Sequence, residues 1–177
     1  DPRIVLLTGD IGNKLFDQFK DGSKERFFNC GIAEANMMGV AAGMALSGLR
    51  PIVYTITPFT TTRCYEQIRV DVGYHIVPVI SVGTGSGLSY AELGPTHHSL
   101  EDLAIMRVLP NMTVLAPADE VELRQCLRAA LKLKGPVYIR IGKKGEKTTT
   151  KNDDKFEIGR SITVREGSDI CLISTGT

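Results

Sequence analysis

The sequence predicts an α/β fold: a doubly wound, mostly parallel sheet with helices on both faces. Three observations lead there. Short runs rich in β-branched residues alternate with stretches of helical periodicity along most of the chain. Those runs are nearly continuous in apolar character, as strands covered on both faces should be. Finally, 177 residues, 42% of them hydrophobic and 23% charged, suffice for one buried core and a fragment of a second domain.

In chain order, the expected elements are a strand at Ile4–Leu7, a helix at Asn13–Lys20, a strand at Arg26–Asn29 and a helix at Ala33–Ser47 that Gly48 ends. A strand at Pro51–Thr55, a helix at Thr61–Val72 and a strand at Val77–Val82 follow. Next come a helix at Leu100–Val108 and a strand at Thr113–Ala116. Asp119, after Pro117 and Ala118, is placed to cap a helix reaching Lys132, with Val121, Leu123, Leu127, Ala130 and Leu131 as its apolar stripe. Gly135-Pro136 stops that helix and opens a last core strand, Val137–Arg140. These elements make a first domain of residues 1–142. Lys143–Lys155 (KKGEKTTTKNDDK) reads as a linker. Phe156–Thr163 and Asp169–Ser174 read as the first strands of a second domain, 156–177, cut short.

Charge and composition exclude several classes. With 21 Lys+Arg against 20 Asp+Glu the net charge is +1, which leaves no electrostatic footprint for nucleic acid or an anionic membrane. No apolar stretch approaches the ~20 residues of a membrane span. Asp1 opens almost directly into a strand, so no signal peptide is visible. Cys30, Cys64, Cys126 and Cys171 lie far apart with no C-x-x-C pair, which reads as reduced thiols in a cytoplasmic protein without a metal cluster.

Two segments carry chemistry. Glu34 follows Gly31-Ile32-Ala33 and opens a helix crowded with small residues and methionines. A carboxylate there is favoured by the helix dipole alone. Its apolar and small neighbours, however, make a solvated face hard to draw. Gly94-Pro95-Thr96-His97-His98 ends an irregular stretch, 83–98, after a buried strand, where open α/β sheets bind ligands. Either histidine could instead be a loop residue bonded to backbone. Gly83-Thr84-Gly85-Ser86-Gly87 lacks the following helix that a dinucleotide fingerprint needs. Gly9-Asp10-Ile11-Gly12-Asn13 is too short for a metal–diphosphate motif, and Asn111-Met112-Thr113 is a sequon without meaning in a cytoplasmic chain.

The order of several motifs is informative. RFFNCGIAE (26–34), Thr57-Pro58-Phe59 followed by Tyr65-Glu66-Gln67-Ile68, Gly94-Pro95-Thr96-His97 and LPNMTVLAP (109–117) together resemble the pyrimidine-binding domain of transketolase-like, thiamine-diphosphate-dependent enzymes. The resemblance covers about residues 1–142 and extends into the tail, suggesting the C-terminal subunit of a split transketolase. It implies the thiamine-diphosphate-binding fold and a transferase of two-carbon ketol units between sugar phosphates in a cytoplasmic carbohydrate pathway.

The resemblance also implies roles. Glu34 matches the glutamate that holds a proton at N1′ of the aminopyrimidine, work that suits a desolvated carboxyl group. Phe59 matches the aromatic that stacks on that ring. Tyr65 either borders the same pocket or packs in the core. His97 matches a histidine that reaches the substrate's carbonyl or hydroxyl oxygen. Arg140 matches an arginine that binds the sugar phosphate, or is a solvated strand-end cation. Departures fall on substrate recognition. Leu93 stands where an aspartate is usual and Gly85 where a second histidine is, with Glu92 a candidate replacement for the aspartate. The Gly-Asp-Gly…Asn motif that binds Mg²⁺ and the diphosphate does not occur, so the resemblance implies a diphosphate-binding partner subunit or domain. A homodimer is expected through an apolar surface around Met37, Met38 and Ala41. The alternatives are a 1-deoxyxylulose-5-phosphate synthase-like enzyme, a 2-oxoacid dehydrogenase E1 β-like subunit, or a non-catalytic interaction module.

Overall fold

The computed structural model describes residues 1–143, 145–151 and 156–177. Six parallel strands form one sheet: β1 (Ile4–Thr8), β2 (Phe27–Asn29), β3 (Arg50–Ile56), β4 (Ile80–Thr84), β5 (Thr113–Leu115) and β6 (Val137–Arg140). Their spatial order is β2-β1-β3-β4-β6-β5. The chain steps outward from β1 to β2, then returns to the opposite side of β1 with β3. That reversal is a topological switch point, and it opens a crevice beyond the carboxyl ends of β1 and β3.

Because parallel crossovers are right-handed, the direction of each step decides which face its helix covers. The steps to β3, β4 and β5 all run one way. They place α2 (Glu34–Leu46), the short helices α3 (Thr57–Thr60) and α4 (Tyr65–Gln67), and α5 (Asp102–Val108) on one face. Val5, Leu7 and Val53 of the sheet meet Met37, Met38, Ala41, Ile68 and Met106 there in one buried cluster. The reverse steps put α1 (Asp17–Gly22) and α6 (Glu120–Ala130) on the other face. Ile80, Val82, Val137 and Ile139 pack against Cys126 and Ala130 on that side. Between α1 and α6 a cavity of about 510 Å³ remains open over Leu6, Ile52 and Tyr54. Among the described residues no helix is long and apolar enough to cross a membrane.

Several local expectations are corrected. The first helix starts at Asp17 rather than Asn13, because Gly12 and Lys14 both take positive φ, +86° and +64°. Pairing of β4 begins at Ile80 rather than Val77, since Pro78 has no N–H to give a ladder. The expected Thr61–Val72 helix is broken into a 3₁₀ turn at Thr62–Cys64, α4, and a π-helical run at Ile68–Tyr74. Gly73 permits that wide turn, as a Cβ on it would press against the Ile68 carbonyl at 3.2 Å.

Met37, Met38 and Ala41 are each 0% exposed, so they are core and form no surface for a second copy. Apolar side chains on the inner stripe of α2 are consumed by the sheet. The segments Phe156–Thr163 and Asp169–Ser174 form no strand among their described residues, having no neighbouring strand to pair their backbone groups. Ile170, Leu172 and Ile173 stand 80–91% exposed. Within the expected linker, residues 144 and 152–155 lie outside the described residues. Its described part is anchored, since the N–H groups of Thr149 and Thr150 both donate to Asp119 Oδ2 at 2.7 Å. The other oxygen of Asp119 caps α6 as expected, accepting from the N–H of Val121 and of Glu122 at 3.0 Å.

Candidate functional site

At the switch point the backbone after β2 is held by one side chain. Asn29 Oδ1 accepts from the N–H of Asp10 at 3.2 Å and of Gly31 at 2.9 Å, while its amide donates to Asp10 Oδ1 at 2.9 Å. Gly31, at φ +68°, then turns the chain so that Glu34 opens α2 beneath the sheet edge. Glu34 is 3% exposed. Gly9 at the end of β1 makes room for it: a Cβ there would press on Glu34 Cγ at 3.3 Å and on the Thr55 hydroxyl at 3.2 Å. The buried Thr55 hydroxyl beside it has no hydrogen-bond partner among the described residues.

Arg63 answers the buried carboxylate. Its Nη1 donates to Glu34 Oε2 at 3.1 Å, and its guanidinium lies 3.8 Å from the centroid of the Phe59 ring. Phe59 stands edge-on to His97, with ring centroids 5.1 Å apart. Thr96 Oγ1 lies 2.9 Å from His97 Nδ1 and fixes the imidazole, whose ring also leans on Tyr90 at 5.7 Å. Lys143 Nζ sits 4.3 Å above the Tyr90 ring. An unbroken line of side-chain contacts thus runs from Glu34 through Arg63, Phe59, His97 and Tyr90 to Lys143. It spans a carboxylate, an aromatic platform, an imidazole and an exposed cation.

Glu34, Phe59 and His97, three of the five residues singled out in the sequence, are brought together by this line. The other two stand apart from it. Tyr65 donates its hydroxyl to the Ile105 carbonyl of α5 at 2.8 Å and packs on the first core cluster. Arg140 is only 16% exposed, and its Nε donates to Asp102 Oδ2 at 2.9 Å. That oxygen also accepts from the Tyr138 hydroxyl at 2.8 Å. Burial, then the charge of Asp102, push the Tyr138 phenol well above its usual range. His98 is a backbone-bonded loop residue, its Nε2 3.1 Å from the Ala91 carbonyl. Glu92 and Leu93 are exposed on a 3₁₀ segment, Ala91–Thr96, that breaks at Gly94.

Three members of the line escaped the sequence reading. Arg63 follows Phe59 by four residues, but the non-helical Thr61 between α3 and the 3₁₀ turn brings the cation over the ring, which no periodicity signals. Lys143 lies three residues past Arg140 beyond the same strand end. Nothing local marks Tyr90, because its position depends on Gly85. A Cβ on Gly85 would collide with the Tyr90 ring, so the aromatic fills the place a side chain at 85 would take. Cys64 is fully buried and its thiol donates to the Phe59 carbonyl at 3.4 Å, while burial, then the Glu34 charge, push it up to about 12, far from a reactive thiolate. Among the described residues no group of three or more His, Cys, Asp or Glu gathers to hold a metal.

Comparison with known proteins identifies the family of the chain. The family described as transketolase, pyrimidine binding domain, matches residues 1–146. A putative transketolase C-terminal section from Methanocaldococcus jannaschii is 37% identical over 176 residues, 98% of this chain and 56% of that protein. A 6-deoxy-6-sulfo-D-fructose transketolase subunit from a Clostridium species is 38% identical, across 99% of this chain and 55% of the relative. A solved structure titled split gene transketolase, inactive beta4 tetramer, superposes with a TM-score of 0.84 at 40% identity, covering 94% of this chain and 54% of that one. The chain spans about half the length of the curated relatives it matches. With the fold, the motif order and these matches in agreement, the chain belongs to the transketolase pyrimidine-binding domain family.

Proposed function

We propose that this chain supplies the pyrimidine-binding half of a thiamine-diphosphate-dependent transferase that moves a two-carbon ketol unit between sugar phosphates. One observation carries the reading. A buried carboxylate, Glu34, and an aromatic face, Phe59, are close enough for one planar, N–H-bearing group to satisfy both, and the Arg63 guanidinium does so. An aminopyrimidine ring is a group of the same kind, so the donor set fits the cofactor. The bare backbone at Gly9 and the unpartnered Thr55 hydroxyl leave polar room beside Glu34.

Thiamine diphosphate, when bound, supplies a carbanion donor at its thiazolium C2. The protein's part is proton and position. Glu34 holds the proton at ring nitrogen N1′, from a site dry enough that water does not compete for it. Phe59 gives the ring its stacking surface. His97, oriented by Thr96, offers an imidazole nitrogen to the substrate's carbonyl or hydroxyl oxygen. The substrate phosphate falls to exposed Lys143, with Arg140 behind it, because much of the Arg140 charge is already answered by Asp102. Tyr65 takes the packing role: its ring lies on the core and its hydroxyl ties α4 to α5.

The diphosphate and its Mg²⁺ are assigned to a separate diphosphate-binding subunit or domain. Relatives named as a transketolase section and as a transketolase subunit support that division. A homodimer forms through the outer face of α2, where Val40 and Leu46 are 40% and 63% exposed. Four free thiols suit a reducing, cytoplasmic setting. The experiment is turnover of a ketose phosphate panel by the full-length subunit with and without its partner and thiamine diphosphate. Turnover is expected only with both present. Activity independent of the cofactor would end this reading.

A further inference from the structure

We propose that Arg63 is a built-in stand-in for the aminopyrimidine ring: it fills the pocket when no cofactor is bound and leaves when the ring enters. The inference rests on the reading that Glu34 and Phe59 receive that ring, and it concerns how entry is controlled.

The guanidinium copies the two contacts the ring is proposed to make. It is planar, it lies 3.8 Å from the Phe59 centroid, and it donates an N–H to Glu34 Oε2 at 3.1 Å. A ring stacked on that face of Phe59 and bonded to Glu34 would need the volume the guanidinium holds. Phe59 offers no easy second place, since His97 packs edge-on against it. Occupancy by Arg63 and by the ring on this face therefore exclude one another.

The stand-in has a physical purpose. Glu34 is 3% exposed, and a buried charge without a partner is costly. The empty pocket needs a counter-charge, and the loaded pocket needs it gone from the ring's place. Arg63 meets both needs because its side chain is 43% exposed and has an open path to water. A pair that is half in solvent is weak enough to exchange. The cost of displacing it is paid as reduced apparent cofactor affinity, in proportion to the fraction of molecules with the pocket closed.

The test uses the enzyme assembled from its full-length subunits and stripped of cofactor. Replacing Arg63→Met keeps apolar cover over Phe59 and removes the ion pair. Thiamine diphosphate with Mg²⁺ should then bind about tenfold more tightly or associate about tenfold faster, by calorimetry and stopped flow. The cofactor-free variant should melt lower than the wild type, while the loaded forms melt alike. Weaker or unchanged binding would overturn the proposal and make Arg63 an ordinary cofactor contact or a structural residue. A crystal structure of the loaded wild-type enzyme decides the matter without any variant. Phe59 covered by the ring and Arg63 swung away supports the proposal. Arg63 still on Phe59 beside a ring bonded to Glu34 overturns it but spares the function. A ring bound away from Glu34 and Phe59 overturns both.

Discussion

Two buried carboxylates pair with arginines near the carboxyl end of the sheet, and they are built to opposite ends. Glu34 and Asp102 are alike in burial, 3% and 1% exposed, and alike in bond length, 3.1 Å to Arg63 and 2.9 Å to Arg140. Their partners differ. Arg140 is 16% exposed, and the Asp102 oxygen it binds takes a second hydrogen bond from Tyr138. Arg63 is 43% exposed and holds its carboxylate through Nη1 alone at 3.1 Å. Asp102 Oδ1 has no partner among the described residues, yet its shared Oδ2 ties two core side chains together, whereas a half-exposed pair is weak enough to exchange. The surroundings of an arginine, more than its distance to a carboxylate, separate the two uses.

Removing the carboxylates should separate them most widely. Glu34→Gln in the assembled enzyme should lower turnover by about 10²–10⁴-fold, the range for loss of a positioned acid–base group, with the fold retained by circular dichroism. Asp102→Ala should instead cost about 3–5 kcal/mol in denaturant unfolding, because it strands Arg140 and the Tyr138 hydroxyl in the core. Joint replacement by Asp102→Leu and Arg140→Met should recover part of that loss. A single Asp102→Ala variant with wild-type stability would erase the contrast.

Smaller effects sharpen it. Lys143→Ala should raise KM for phosphorylated donors about tenfold and leave unphosphorylated analogues nearly unchanged, a split that steady-state kinetics can read. Arg140→Lys should mainly lower stability. Asp119 offers a third kind of carboxylate, one serving mainly backbone N–H groups. Burial pushes its carboxyl up, but the N–H groups of Glu122, Thr150 and Thr149 outweigh that and hold it well below the usual carboxylate range. A depressed native pKa adds stability above the unfolded carboxyl's range, near pH 4, and that stability is lost as pH falls. Asp119→Ala should cost about 1 kcal/mol at pH 7 and flatten the acid limb of the unfolding curve.

All six strands were legible because apolar runs and Gly/Pro stops are local signals, and the placement of Glu34, Phe59 and His97 followed from motif order. What escaped was set by distant partners. The broken helix after β3 depends on the Gly73 approach to Ile68, which periodicity does not show. Met37 and Met38 look like an interface in sequence because a buried helix and a docking helix share one composition. Arg140 reads as a phosphate-binding arginine or a solvated strand-end cation until Asp102, 38 residues earlier, is placed beside it. The tail residues 169–174 have the composition of a strand, but composition cannot supply a neighbour to pair with.

On the proposed reading, this chain holds the ring side of a cofactor site and leaves the diphosphate side to a partner. Stacking on Phe59 plus one hydrogen bond to Glu34 offers only about 2–4 kcal/mol, which corresponds to millimolar affinity at best. Calorimetry of thiamine diphosphate with Mg²⁺ tests this directly. This chain alone should show no binding tighter than about 100 μM, and adding the partner subunit should bring affinity into the micromolar range unless Glu34 is replaced. Micromolar binding by this chain alone would contradict the account.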